Sequence, residues 1–196
     1  MKLLRSFLFC LLVCSSHVFC AADELSPPDF LNHILTDAQA DPLLNLTYAR
    51  NGCYVRAHWL AEKINSRGYT PIKIFIHAAN LHQKFQMRMA TGELIKWIFH
   101  VAAGYQDEFQ HIWILDPVLS KQVISIESWK AIIQAQNTAL DLKLDRTSAN
   151  KYQYDSAANE EWDQVAADGP FSVRAMNFVN DAMADLFIWE KVDQNE

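Results

Sequence analysis

The sequence predicts a single α+β domain with a cysteine-bearing helix, an antiparallel hairpin in mid-chain and a helical C-terminal third. Apolar residues recur at helical spacing over residues 30–38 and again over 53–64. Two strand-like runs, 94–103 and 109–115, are joined by the polar segment 104–108, which is typical of a hairpin. Beyond residue 128 the apolar pattern returns to helical spacing.

The N-terminal segment 1–22 has the pattern of a cleavable signal peptide. Lys2 and Arg5 form a basic start, residues 7–12 are apolar, and Ala21 and Ala22 offer a cleavage point. The apolar stretch is too short to span a bilayer as a helix. We therefore expect export, with a secreted or periplasmic product formed by residues 23–196 as one catalytic domain.

The charge of the chain argues against a nucleic-acid partner. There are 23 acidic and 17 basic residues, and removal of Lys2 and Arg5 changes the formal net charge from −6 to −8. A strongly acidic surface repels phosphate backbones. Only five glycines occur, too sparsely for a loop that cradles phosphates, and no second hydrophobic span is visible.

The first two helices have recognisable boundaries. The first follows Pro27 and Pro28, which suit a helix start. The second has Asn51 as a favourable N-cap residue and ends before Gly68, so Cys53 is predicted in its first turn.

The remaining elements follow in order along the chain. Residues 71–77 alternate as a β-strand does, 84–89 form a short strand, and Thr91-Gly92 marks a turn before the hairpin. Helices are predicted over 128–136, 159–167 and 172–191. The polar segment 141–158 is predicted to be an irregular surface loop.

Cys53 is the first candidate for catalysis. Cys10, Cys14 and Cys20 all lie in the predicted signal peptide, so Cys53 is left as the sole thiol of an exported protein. The positive end of the helix dipole favours a thiolate there, and the free amides of the first turn can stabilise an oxyanion. The alternative is a small apolar side chain packed in the core.

His100 and Asp116 are the candidates for its partners. His100 lies on the first hairpin strand and Asp116 ends the second, so direct opposition would place both on one face of the sheet. The carboxylate could then orient the imidazole, and the imidazole could take the proton of Cys53. The alternatives are a hydrogen-bonded core histidine and a turn aspartate before Pro117.

A zinc site is not favoured, although the chain has seven histidines. Cys53 and His58 are five residues apart and do not share a helix face, and His77 and His82 have no third ligand nearby in sequence. We predict neither a metal nor a cofactor.

The segment Asn51-Gly52-Cys53-Tyr54-Val55-Arg56-Ala57-His58, followed by strands bearing His100 and Asp116, resembles bacterial protein-glutaminase. That family deamidates protein-bound glutamine. The resemblance covers about residues 47–119 and implies a transglutaminase and papain-like α+β core, with the cysteine helix packed against an antiparallel sheet. It implies that Cys53 is the nucleophile, His100 the general base and acid, and Asp116 the orienting carboxylate.

The same triad supports other chemistry. Attack on a backbone amide gives a cysteine protease, and capture of the thioester by an amine gives a transglutaminase. A secreted non-catalytic binding module is a further alternative. If the resemblance holds, the partners are proteins or peptides with accessible glutamine. Secreted relatives carry a long pro-segment, whereas here 30 residues (23–52) separate the predicted signal peptide from Cys53.

Overall fold

A computed structural model describes residues 26–152 and 160–193. The predicted signal peptide, with its three cysteines, lies outside the described residues. In chain order the elements are α1 (Asp29–Ala40), a 3₁₀ turn (Pro42–Leu44), α2 (Cys53–Ser66), β1 (Pro71–Ala78), β2 (Phe85–Arg88), β3 (Leu94–Trp97), β4 (Phe99–Gln106), β5 (Ile112–Leu115), β6 (Ile124–Ser125), α3 (Ile126–Ala135), β7 (Leu142–Ser148), α4 (Glu160–Val165) and α5 (Val173–Asp193).

The main sheet has five strands in the order β6-β5-β4-β1-β7, and every neighbouring pair is antiparallel. Helix α2 packs on β4 and β1, and α1 and α5 pack on α2. Strands β2 and β3 form a separate two-stranded sheet. None of the helices among these residues has the length and apolar character needed to cross a membrane. The predicted α+β architecture is confirmed, including the packing of the cysteine helix on an antiparallel sheet.

Helix α2 starts where the sequence predicts, but its N-cap is Gly52 rather than Asn51. Gly52 has φ +79°, and its N–H donates to the Asn51 side-chain oxygen at 2.8 Å. A β-carbon added at Gly52 would lie 2.6 Å from a methyl group of Leu186 in α5. Glycine is therefore required for two reasons, the left-handed backbone and the closely packed leucine. The predicted end is confirmed, since Arg67 and Gly68 close the helix.

The hairpin is shorter and shifted relative to the prediction. The run 94–103 is interrupted at Ile98, so that β3 pairs with β2 while β4 belongs to the main sheet. Strand β4 continues to Gln106, and the turn occupies residues 107–111. Ala103 pairs with Leu115 and Gly104 with Ile114, a register two residues away from direct opposition of His100 and Asp116.

The predicted loop over 141–158 is wrong in its first half. Residues Leu142–Ser148 form β7, an edge strand paired with β1 from Ile72 to Ala78. Over residues 142–145 buried or half-buried residues alternate with exposed ones, as in a strand with one solvated face. The helices predicted over 128–136, 159–167 and 172–191 correspond to α3, α4 and α5.

A buried lysine joins the sheet to the helical layer. Lys73 of β1 is fully buried, and its Nζ donates to Lys151 O and to His58 Nδ1, each at 2.8 Å. The His58 Nε2–H donates to Pro170 O at 2.7 Å, which leaves Nδ1 as the acceptor. Burial lowers the pKa of Lys73 well below its ordinary value; burial, and then the nearby lysine, lower the pKa of His58 to about 3.

Candidate active site

Cys53 occupies the first turn of α2 and is the only cysteine in the part of the chain that the structure describes. It is 8% exposed and packs with Ala57, Phe75 and Val101. The first amide of the turn to bond backward is Arg56 N–H, which donates to Gly52 O at 3.0 Å. The amides of residues 53–55 therefore have no carbonyl partner within the helix and can donate to an anion at its start.

His100 and Asp116 form a buried hydrogen-bonded pair. His100 Nε2 donates to Asp116 Oδ2 at 2.7 Å, and the two side chains are 2% and 4% exposed. Extending the β4–β5 register by one residue puts Asp116 opposite Ala102, two residues from His100 and on the same side of the sheet. The pair is thus a diagonal contact rather than the predicted direct opposition.

Asp116 accepts hydrogen bonds from three further donors besides the imidazole of His100. The indole Nε1 of Trp129 donates to the same Oδ2 at 2.8 Å. The backbone N–H groups of Val118 and Leu119 donate to Oδ1 at 3.3 and 3.4 Å. These donors satisfy the carboxylate and fix its direction, so it orients the imidazole without rotating.

The ring of His100 is clamped against an indole. Trp97 stacks on it with ring centroids 4.5 Å apart and an interplanar angle of 13°. The indole Nε1 of Trp97 donates to Ala49 O at 3.2 Å, which ties the stacked pair to the loop that precedes Cys53. Stacking on Trp97 therefore fixes the plane of the imidazole ring, and the hydrogen bond to Asp116 fixes its orientation within that plane.

The second ring nitrogen of His100 is left for Cys53. Nδ1 is buried and has no hydrogen-bond partner among the described residues. Burial is the largest influence on the His100 pKa and lowers it, but the charge and hydrogen bond of Asp116, followed by the neighbouring Cys53, raise the pKa to about 9. His100 is therefore protonated at neutral pH.

The carboxylate shows the complementary effect. Burial, the largest influence, raises the pKa of Asp116, yet the charge and hydrogen bond of His100 and the donors from Trp129 and Leu119 bring the pKa below its ordinary value. Asp116 is thus charged at neutral pH although it is almost fully buried.

Arg56 adds a buried positive charge one turn after Cys53. Its guanidinium donates to Asn51 O at 2.6 Å, to Leu44 O at 3.3 Å and to Asn45 O at 3.5 Å. Burial lowers its pKa, while the charges of Cys53 and Asp116 oppose that effect. Arg56 therefore holds the loop before Cys53 in place and adds positive potential beside it.

An open cleft of about 220 Å³ leads to Cys53. Tyr54, Trp97, Ile98 and Phe99 supply apolar surface to its walls, and Arg50, Lys84 and Lys96 supply basic groups. A second, narrower cavity is lined by Cys53, His100 and Asp116 together. The cleft gives a substrate side chain access to the sulfur from the surface.

The structure thus brings Cys53, His100 and Asp116 to one site. Three supporting residues, Arg56, Trp97 and Trp129, were not predicted from the sequence. Only Arg56 carried a signal, as a charged residue within the buried stretch of the cysteine helix. Within residues 26–152 and 160–193, no group of three or more His, Cys, Asp and Glu side chains is arranged to hold a metal ion.

Comparison with known proteins finds a matching family and similar folds. A family profile described as Glutaminase matches residues 30–133, just over half of the chain. The solution structure of protein-glutaminase from Chryseobacterium proteolyticum is similar at 20% identity and a TM-score of 0.51, over 65% of this chain and 72% of that one. A crystal structure of protein-glutaminase is similar at 18% identity and a TM-score of 0.51, over 65% and 74%.

A crystal structure of pro-protein-glutaminase is similar at 19% identity and a TM-score of 0.52, over 63% of this chain and 48% of that one. A search of curated proteins found no match. The resemblance seen in the sequence is confirmed, and the matched segment extends beyond residues 47–119 at both ends. The chain belongs to the Glutaminase family.

Proposed function

We propose that this protein hydrolyses the side-chain amide of protein-bound glutamine, releasing ammonia and leaving glutamate. The observation that carries the proposal is the buried Asp116–His100 pair whose free ring nitrogen is left for Cys53, at the end of an open cleft. Membership of the Glutaminase family supplies the class of reaction, and the fold shared with protein-glutaminases supports a protein substrate.

In the first half of the reaction, the Cys53 sulfur attacks the carboxamide carbon of the glutamine side chain. The amides at the start of α2 donate hydrogen bonds to the oxyanion that forms. The C–N bond then breaks, and the imidazolium of His100 gives its proton to the departing nitrogen, which leaves as ammonia. The product of this half is a thioester between Cys53 and the substrate.

In the second half, His100 is neutral and acts as the base. It takes a proton from a water molecule, whose oxygen attacks the thioester carbon. The C–S bond breaks, the substrate leaves as glutamate, and Cys53 and His100 return to thiolate and imidazolium. Asp116 stays charged throughout and stabilises the imidazolium.

The proposal includes export of the protein. The basic start, apolar run and small residues of segment 1–22 support it. Expression with the native N-terminus should yield an extracellular or periplasmic protein whose first residue is Asp23, as read by N-terminal sequencing. A protein that keeps Met1 and stays in the cytoplasm would contradict export without touching the chemistry.

Ammonia release from casein and from a short glutamine-containing peptide tests the reaction. Wild-type protein should release ammonia and convert glutamine to glutamate, a mass increase of about 1 Da per site, whereas Cys53→Ala should do neither. Circular dichroism of the variant shows whether it is folded.

The rival activities give different products from the same samples. Peptide fragments without ammonia would identify a protease, and ammonia accompanied by coupling to an added amine would identify a transglutaminase. No Cys53-dependent product of any kind would leave the non-catalytic binding module. In that case iodoacetamide should also fail to alkylate Cys53 rapidly at mildly acidic pH.

A further inference from the structure

The cleft that leads to Cys53 is basic in an otherwise acidic protein. Arg50, Lys84 and Lys96 line it, and its lining includes no aspartate or glutamate among the residues that the structure describes. The whole chain has a formal net charge of −6. A local potential opposite in sign to the rest of the surface attracts a ligand of negative charge.

Two of these cations face the cleft without a carboxylate of their own. Arg50 is paired with Glu93, with Nε 2.6 Å from Oε1. Lys84 and Lys96 take part in none of the ion pairs among the described residues. Their charge is therefore available to a bound substrate, while that of Arg50 is largely neutralised.

The backbone that carries the two lysines is anchored. Lys96 lies on the exposed side of β3, and Lys84 directly precedes β2. The side chain of Asn137 bonds to both the N–H and the C=O of Gln86 in β2, each at 2.8 Å. At the other end Trp97 holds β3 to Ala49 O. The positions from which both lysines extend are thus fixed relative to Cys53.

We propose that this cationic cleft, defined by Lys84 and Lys96, selects glutamines flanked by aspartate or glutamate. The inference rests on the proposed deamidation. The glutamine carboxamide is neutral, so the two lysines act on the neighbouring residues of the substrate, whose carboxylates they attract over a few ångströms. Basic neighbours are repelled by the same charges.

The reaction then reinforces its own selectivity. Each turnover converts a neutral side chain into a carboxylate, so a glutamine next to one already converted becomes a better substrate. In a segment with several glutamines, the second conversion should be faster than the first, with the rates read by mass spectrometry from the time courses of singly and doubly deamidated peptide.

Three peptides that differ only in the residues beside one glutamine provide the test. The flanking pairs are glutamate, serine and lysine, and kcat/KM is measured by ammonia release. An exposed ion pair changes the rate about 2- to 5-fold, so two lysines should favour the acidic over the neutral peptide by about 4- to 25-fold. The lysine-flanked peptide should be the poorest, and about 0.5 M salt should shrink the differences.

Charge reversal provides the second test. In Lys84→Glu/Lys96→Glu the order of the three peptides should invert, and each single variant should lower the preference for the acidic peptide. Lys63→Glu is the matched control, because Lys63 lies at the opposite end of α2 from Cys53. It should keep the wild-type order.

The possible failures are distinguishable. Equal kcat/KM for all three peptides, or the wild-type order in the folded double variant, would overturn the selectivity and leave the deamidation standing. If the double variant fails to fold, the salt effect on wild-type protein and the single variants decide. No ammonia from any peptide would overturn both proposals together.

Discussion

Asp116→Asn tests the arrangement of the site most directly. Asp116, with smaller contributions from Cys53, raises the His100 pKa from 6.5 to about 9 against the opposing effect of burial, which is the largest single influence. At about 1.4 kcal/mol per pKa unit, the net stabilisation of the imidazolium is about 3 kcal/mol. Without the carboxylate, burial remains and the His100 pKa should fall below 6.5. Cys53 then has no charged imidazolium beside it at neutral pH, and we expect kcat/KM to fall by about 10²- to 10⁴-fold.

The assay is the pH dependence of kcat/KM for ammonia release. The alkaline limb of the wild-type profile should lie near pH 9, where His100 loses its proton. In Asp116→Asn that limb should move below pH 6.5. A folded variant whose alkaline limb stays near pH 9 would refute the role given to Asp116.

The chain offers a matched control for this substitution. Asp107 also accepts from an indole and a histidine, with Trp113 Nε1 at 3.0 Å and His111 Nδ1 at 3.1 Å. Two backbone amides complete its partners, as they do for Asp116. Asp107→Asn should therefore cost similar stability, about 1–3 kcal/mol for unsatisfied donors, and leave the pH profile unchanged.

Trp129→Phe removes one donor to Asp116 and should lower the unfolding free energy by about 1.5–3 kcal/mol in chemical denaturation; an unchanged denaturation curve would contradict a contribution of this hydrogen bond to stability. Gly52→Ala should lower the melting temperature and the activity more than Gly68→Ala, because both have positive φ but only Gly52 has a side chain packed against it; equal effects would contradict the packing. Lys73→Met should change the pH dependence of stability. Because the Lys73 pKa is lowered in the folded state, the unfolding free energy of the wild type should rise with pH up to about 10.5, by at most about 1.4 kcal/mol per pH unit. The unfolding free energy of the variant minus that of the wild type should therefore fall over this range, and a constant difference would contradict a neutral buried amine.

Local signals in the sequence were enough to predict the position of Cys53 in the first turn of its helix, and the pairing of the strand that carries His100 with the one that ends at Asp116. The start of the cysteine helix and its end at Gly68 follow from helix periodicity and glycine, both of which act over a few residues. The alternating run at β1 was equally readable. The prediction that His100 and Asp116 lie on the same face of the sheet is correct although the predicted register is off by two residues, because the side-chain direction in a strand repeats every two residues.

Contacts between segments that are distant in sequence could not be predicted from such local signals. Strand β7 is polar because it lies at a sheet edge, so composition resembled a loop although Leu142 and Leu144 alternate with polar residues. The break at Ile98 depends on where β3 finds β2 and where β4 finds β1. Trp97 and Trp129 acquire their roles only from those pairings, since nothing local distinguishes them from core tryptophans.

Helix α5 lies entirely beyond residue 133, where the family match ends, yet it reaches the loop that precedes Cys53. Leu186 packs on Gly52, and Glu190 accepts from the Asn45 side chain at 2.9 Å. Residues outside the family match therefore support the loop that precedes Cys53. Substitutions in α5 can therefore shift the position of Cys53 while Cys53, His100 and Asp116 themselves stay the same.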